Sequence, residues 1–180
     1  VCSTDPGYYQ FFLARGEIEK ALLVFSSSLA YSMSPDCYQT VERIHYYNSN
    51  YAPFQPNLSA SGCIIEMIRR MLIDEQEQGI LWLLRGCPRR WFDRGQSISV
   101  ENATTCFGKM SLYVEAGERM ISIEMDSPER RPPDEIRLLL RHPSGETPHE
   151  VRVNDVKVTT RGEVIRLQRP EGHFQILCKY

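Results

Sequence analysis

The sequence predicts an α+β chain of two segments, a helical part followed by an antiparallel β-sandwich. Three observations predict it. Before Gly79, apolar residues recur with helical spacing. Beyond it they alternate with polar residues as in strands, as far as Tyr180. Inside the helical part, one long stretch from Pro35 to Asn57 follows neither period and is dense in polar and aromatic groups. The predicted division is 1–79 and 80–180.

The first helix opens at Asp5-Pro6, because Asp is a good N-cap and Pro suits the first turn. Tyr9, Phe12 and Leu13 fall on one face. Gly16 closes the helix, since Gly tolerates the left-handed conformation of a C-cap. A second helix follows at once, with Glu17 and Glu19 at its positive end. Its stripe is Ile18, Ala21, Leu22, Phe25 and Leu29, widened by Leu23 and Val24. Ser34-Pro35 stops it, because the residue before Pro is pushed out of the helical region. A connection this short implies a helical hairpin.

Pro35 to Asn57 reads as a loop from its Pro, Asn, Ser and aromatic content. Connections of that length in a compact domain are usually functional or disordered, and this one is too aromatic for disorder. The last helix carries Ile64, Ile65, Met67, Ile68, Met71 and Leu72 at helical spacing. Ser59 or Ser61 is the expected cap. Asp74, Glu75 and Glu77 suit the negative end of a helix badly, so fraying is expected beyond Ile73 and a stop by Gly79.

The strand pattern begins with Ile80 to Leu84, a short apolar run suited to a buried strand. Ile98 and Val100 alternate with serines, as do Met110, Leu112 and Val114 with Ser111 and Tyr113, and Ile121, Ile123 and Met125 with Ser122 and Glu124. Ala116-Gly117 and Asn154-Asp155 are hairpin signals. Ile136 to Leu140, Val151 to Val158, Val164 to Leu167 and Phe174 to Cys178 complete the set. Many short strands with regular turns imply a sandwich. Pro128, Pro132, Pro133 and Pro143 fall in its loops, where a missing donor costs nothing.

Composition bounds the function. A chain of 180 residues with net charge −2 has no electrostatic footprint for nucleic acid or an anionic membrane. No apolar run approaches a membrane span. The six cysteines are scattered without CxxC spacing, and the four histidines are not grouped with them, which argues against zinc and for free, mostly buried thiols. No cofactor motif is present.

A family resemblance attaches to particular residues. The run Gly79-Ile80-Leu81-Trp82-Leu83-Leu84-Arg85-Gly86-Cys87-Pro88-Arg89-Arg90-Trp91 resembles the exit from a six-hairpin (α/α) glycosidase barrel. The stretch from Ile98 to Leu112 is similar to the β-sandwich that closes such bacterial enzymes. The order of elements most resembles that of alpha-L-rhamnosidases. In such enzymes a Thr-x-x-Glu or Thr-x-Glu stretch before the last helix carries the carboxylate that activates water. Thr40-Val41-Glu42-Arg43 occupies that place. The chain departs from the family pattern in having Val41 where an aromatic often stands, and Asn57-Leu58-Ser59 in place of an Asn-His pair.

The resemblance implies that 1–79 are the C-terminal helices of an (α/α) barrel and 80–180 its accessory sandwich, which caps and stabilises the barrel. Its substrate is a carbohydrate. Glu42 is then the catalytic carboxylate, a general base in an inverting mechanism. Arg43, His45 and Tyr46, with Tyr47 beside them, line the sugar subsite. Glycoside hydrolysis needs two carboxyl groups, and no second one shares this loop; Asp36 reads as a turn residue. The general acid is expected from polypeptide N-terminal to this chain, which starts at Val1 without methionine, as a fragment would. The fragment alone is expected to be inactive. Taken without the resemblance, Glu42-Arg43 also reads as a surface ion pair, and Tyr46, Tyr47, Tyr51 and Phe54 as loop anchors.

Two other functions fit the same residues. A carbohydrate-binding sandwich needs exposed aromatics, for which Tyr113, Phe174 and Tyr180 are the candidates. A purely structural cap predicts a packed interface rich in Leu83, Leu84 and Trp91. Trp82 and Trp91 flank the junction and are expected to pack there. Asn57-Leu58-Ser59 and Asn102-Ala103-Thr104 match a glycosylation sequon, a chance match if the source is bacterial, as the resemblance implies.

Overall fold

The computed structural model describes residues 6–33, 39–41, 57–76 and 79–180. The chain divides into two compact units, Val1–Met71 and Leu72–Tyr180. The first is helical: α1 (Gly7–Ala14), α2 (Ile18–Ser32) and the body of α3 (Leu58–Leu72). The second is a sandwich of ten strands. The predicted α+β order, helices and then sheets, is the observed one.

Helix α1 ends as expected. Gly16 has φ of +73°, its N–H bonds the Leu13 carbonyl at 3.0 Å, and Glu17 N–H bonds that of Phe12 at 2.9 Å. That pair is the Schellman closure, which turns the chain directly into α2. Tyr9, Leu13, Ile18 and Ala21 are buried between the helices' inner faces. Leu22, Phe25 and Leu29 are half-buried, and Leu23 is exposed, so the stripe of α2 is narrower than its composition suggests. In α3, Ala60, Ile64, Met67 and Met71 are buried, one residue per turn, while Ile65 and Ile68 face out. Gln10 of α1 donates to Glu66 of α3 at 2.8 Å, and Arg70 holds the same carboxylate at 3.0 Å.

The helix gives way to strand earlier than expected. Ile73–Gln76 forms β1, paired antiparallel with β2 (Ile80–Leu83), with Ile73 opposite Leu83. The acids that suit a helix end badly are used in an extended segment instead. Asp74 is buried against Arg85 at 3.0 Å, and Glu75 accepts the Cys106 N–H at 2.5 Å.

The remaining strands are β3 (Ser97–Thr105), β4 (Gly108–Ala116), β5 (Met120–Asp126), β6 (Glu135–Leu139), β7 (Glu150–Val153), β8 (Val156–Val158), β9 (Val164–Gln168) and β10 (His173–Lys179). One sheet has the order β3-β4-β5-β10-β7-β8 and is antiparallel throughout. The other has the order β1-β2-β6-β9 and is mixed, because β2 and β6 run parallel. A parallel pair needs a long crossover, and here the β3–β5 meander in the opposite sheet provides it.

Period-two patterning fixes which faces meet. Leu81, Leu83, Ile136, Leu138, Ile165 and Leu167 from one sheet share a core with Met110, Leu112, Val114, Ile121, Ile123 and Ile176 from the other. Each fully buried Leu or Ile contributes roughly 1.5–3 kcal/mol of apolar burial, so this core outweighs any single polar contact in the unit. Leu83 and Leu84 lie inside it and Trp91 packs against it. These side chains, expected at an interface with the helices, are engaged by the sandwich's own core. Leu84 holds a left-handed backbone, φ +59°, with its N–H bonded to the Leu72 carbonyl at 2.8 Å. The hairpin signals are met: Asn154 and Asp155 both have positive φ, as a two-residue primed turn requires, and Gly117 N–H bonds the Met120 carbonyl at 2.7 Å.

Candidate active site

Of the stretch singled out by sequence, Pro35 to Asn57, the structure describes residues 39–41 and Asn57. Thr40 and Asn57 are tied together. Asn57 N–H donates to the Thr40 carbonyl at 3.0 Å, and the Thr40 hydroxyl donates to the Asn57 carbonyl at 2.7 Å. The same hydroxyl lies 2.7 Å from Ser61 Oγ. Thr40 also bridges to Met33 at the end of α2. Thr40 and Val41 are 3% and 6% exposed, so the residues directly before Glu42 are fixed in the unit's interior.

Asn57 has a second task. Its Oδ1 accepts the Ala60 N–H at 2.9 Å and its carbonyl accepts the Ser61 N–H at 3.1 Å, so Asn57 is the N-cap of α3. Ser59 and Ser61, the expected caps, lie inside the helix. The loop's return and the helix's start are therefore one structure, with Thr40 as its clasp. Asn before a helical run is a recognisable capping signal, whereas a long-range Thr–Asn tie has no sequence signature.

Glu42, Arg43, His45 and Tyr46 lie outside the described residues, as do Tyr47, Tyr51, Phe54 and Asp36. In the helical unit, two described carboxylates are held by cations or amides. Glu66 bonds Gln10 and Arg70. Glu17 bonds Lys20 and Arg15, and these hydrogen bonds hold its carboxyl below the usual range.

The sandwich distributes its aromatics singly. Tyr113 is exposed on β4, Phe174 packs partly against the core, and Tyr180 is buried and stacked on His142 with ring centroids 4.2 Å apart. They form no row. The guanidinium groups of Arg85 and Arg137 lie over the Trp82 ring, 4.5 and 5.3 Å from its centroid. Cys87 and Cys178 are buried, Cys63 is half-buried and Cys106 is exposed; all four are free thiols. Burial pushes the Cys178 thiol up to about 12 and raises Cys87 further. Among the described residues, no three His, Cys, Asp or Glu side chains gather as metal ligands would, and no helix is long and apolar enough to cross a membrane.

No protein-family model matches the chain, and no curated protein matches it. Among solved structures it is similar to the structure of alpha-L-rhamnosidase from Dictyoglumus thermophilum, with 10% identity and a TM-score of 0.43. The likeness covers 89% of this chain, which spans 17% of the length of that one.

Proposed function

We propose that this chain is the C-terminal part of a glycoside hydrolase of the rhamnosidase-like, six-hairpin kind. Its helical unit contributes one side of a sugar-binding cleft. The β-sandwich serves the enzyme as an accessory structural domain. Glu42 acts as general base, activating water on the face of the sugar ring opposite the leaving group. Arg43 keeps that carboxylate ionised, and His45 and Tyr46 bind sugar hydroxyls and cover a ring face. The general acid comes from polypeptide outside these 180 residues.

One observation carries the proposal: the Thr40 clasp. A catalytic carboxylate must be held to a fraction of an ångström. Glu42 follows two buried residues whose backbone is tied to the cap of α3. That is the support expected for a positioned carboxylate, and more than a surface ion pair needs. In support stands the Thr-x-Glu motif preceding the last helix, with a sandwich following it, in the order the family resemblance requires.

Aryl glycosides test the reading, assayed with this chain and with a longer polypeptide that contains it. The chain alone is expected to show no turnover. In the longer polypeptide, Glu42→Gln is expected to lower kcat by about 10²–10⁴-fold, the usual share of a general base. A rate near that of the parent removes Glu42 from the mechanism.

A further inference from the structure

We propose that the outer face of the six-stranded sheet binds a neutral oligosaccharide, laid across the strands over Tyr113. Three depressions lie on this face, of about 290, 190 and 570 Å³. The first two share Tyr113 and Glu124, and the second and third share Ser111 and Asp126. They therefore adjoin one another along the face. Strand register explains its course. Ser99, Tyr113, Glu124 and Gln175 stand directly opposite one another on β3, β4, β5 and β10. Ser111, Asp126 and His173 form the adjoining row.

The lining selects the ligand class. Tyr113, 43% exposed at the centre, offers a flat apolar ring face. Around it stand carboxylate, amide and hydroxyl groups, the donors and acceptors that match sugar hydroxyls. Asp126 is oriented by His173 Nδ1 at 2.8 Å. Six carboxylates (Glu101, Glu115, Glu124, Asp126, Glu129, Asp155) face three fixed cations (Lys109, Arg130, Arg152), which disfavours nucleic acid and acidic glycans. A peptide adding to a sheet needs a free edge, but β4, β5 and β10 are all interior strands. A helical peptide needs an apolar trough, and here the apolar alternate residues point inward to the core.

This inference does not depend on the hydrolase reading. The test uses the full 180-residue chain, titrated calorimetrically with gluco-, manno-, galacto- and rhamno-configured neutral oligosaccharides. At least one is expected to bind at about millimolar strength or tighter. Tyr113→Ala and Glu124→Ala, both on the exposed face, are expected to weaken it about tenfold each with an unchanged unfolding midpoint. Weakened binding in the two groove variants, whatever the outcome of the aryl glycoside assay, separates this site from the hydrolase proposal. Absence of binding across the panel overturns the inference. So does binding that both groove variants leave intact, or a preference for an acidic polysaccharide or a cationic peptide.

Discussion

Thr40 is tied to Asn57 through its carbonyl and through its hydroxyl, and the hydroxyl can be tested alone. Thr40→Val keeps the shape of the side chain and removes its bonds to the Asn57 carbonyl and Ser61. The Asn57 carbonyl keeps the Ser61 N–H, so the loss is that of a hydrogen bond, about 0.5–1.5 kcal/mol. Urea unfolding is expected to show that loss, and Thr40→Ser is expected to recover most of it. A loss from valine within a few tenths of a kcal/mol would show that the clasp is dispensable. Glycine offers a second test at this scale. Gly79 has φ of +74°, and an added Cβ would lie 2.4 Å from Asp134 Oδ2. Gly145 has a similar φ of +76° but open space around it. Gly145→Ala meets only the left-handed penalty, about 1–2 kcal/mol. Gly79→Ala meets that and must also displace the Asp134 carboxylate, so its thermal midpoint should fall further. Equal midpoints would mean that Asp134 turns away freely.

Between elements, charged pairs decide where strands join. Asp74 of β1 and Arg85, which follows β2, form a buried pair. Removing one member takes a hydrogen-bonded counter-charge from a buried group, and breaking such a pair costs about 3–5 kcal/mol. Asp74→Ala should therefore destabilise more than the double variant Asp74→Leu/Arg85→Met, a difference that a double-mutant cycle measures directly. At the other sheet, Glu150 of β7 stands opposite Lys179 of β10 and also binds Arg152. Lys179, then Arg152, lower its carboxyl from 4.5 to about 2. Because the folded value lies below the unfolded one, this contribution is complete above about pH 4.5 and is lost as pH falls towards 2. An NMR titration should place the Glu150 midpoint near that lower value, and Lys179→Ala should move it upward. Such pairs also mark what the sequence concealed. Alternation revealed β4, β5, β6, β9 and β10 because one face of each is core. It failed at Ile73–Gln76, where three polar residues follow one apolar residue and Asp74 is buried against Arg85, eleven positions away. The parallel partnership of β2 and β6 was equally hidden, since period two reports a face and not a neighbour. Most of Pro35 to Asn57, read as a loop from length and composition, lies outside the described residues, and the Thr40–Asn57 tie within it joins residues far apart in sequence.

At the scale of the molecule, the sandwich has what an independent domain requires. Every member of its hydrophobic core, from Ile73 to Tyr180, belongs to Leu72–Tyr180. Its termini are fixed within it: Leu72 bonds Leu84, and Tyr180 exchanges hydrogen bonds with Arg119 through its N–H and its carbonyl. A chain of this size can bury enough surface to fold alone. The helical unit is different in kind. Tyr8, Phe11, Leu23, Leu58 and Ile65 are all more than half exposed on three short helices, and helices of 8 to 15 residues are marginal without tertiary packing. A polypeptide of residues 72–180 is therefore expected to unfold cooperatively in urea with dispersed amide resonances, while residues 1–71 alone show broad, weakly cooperative melting. The same dissection probes the thiols. Cys87 and Cys178 are buried and kept protonated, so in the isolated sandwich they should resist a disulfide reagent until denaturant is added, whereas exposed Cys106 reacts at once. Immediate labelling of all three would mean that the core had not formed without the helices, and that the sandwich depends on them to fold.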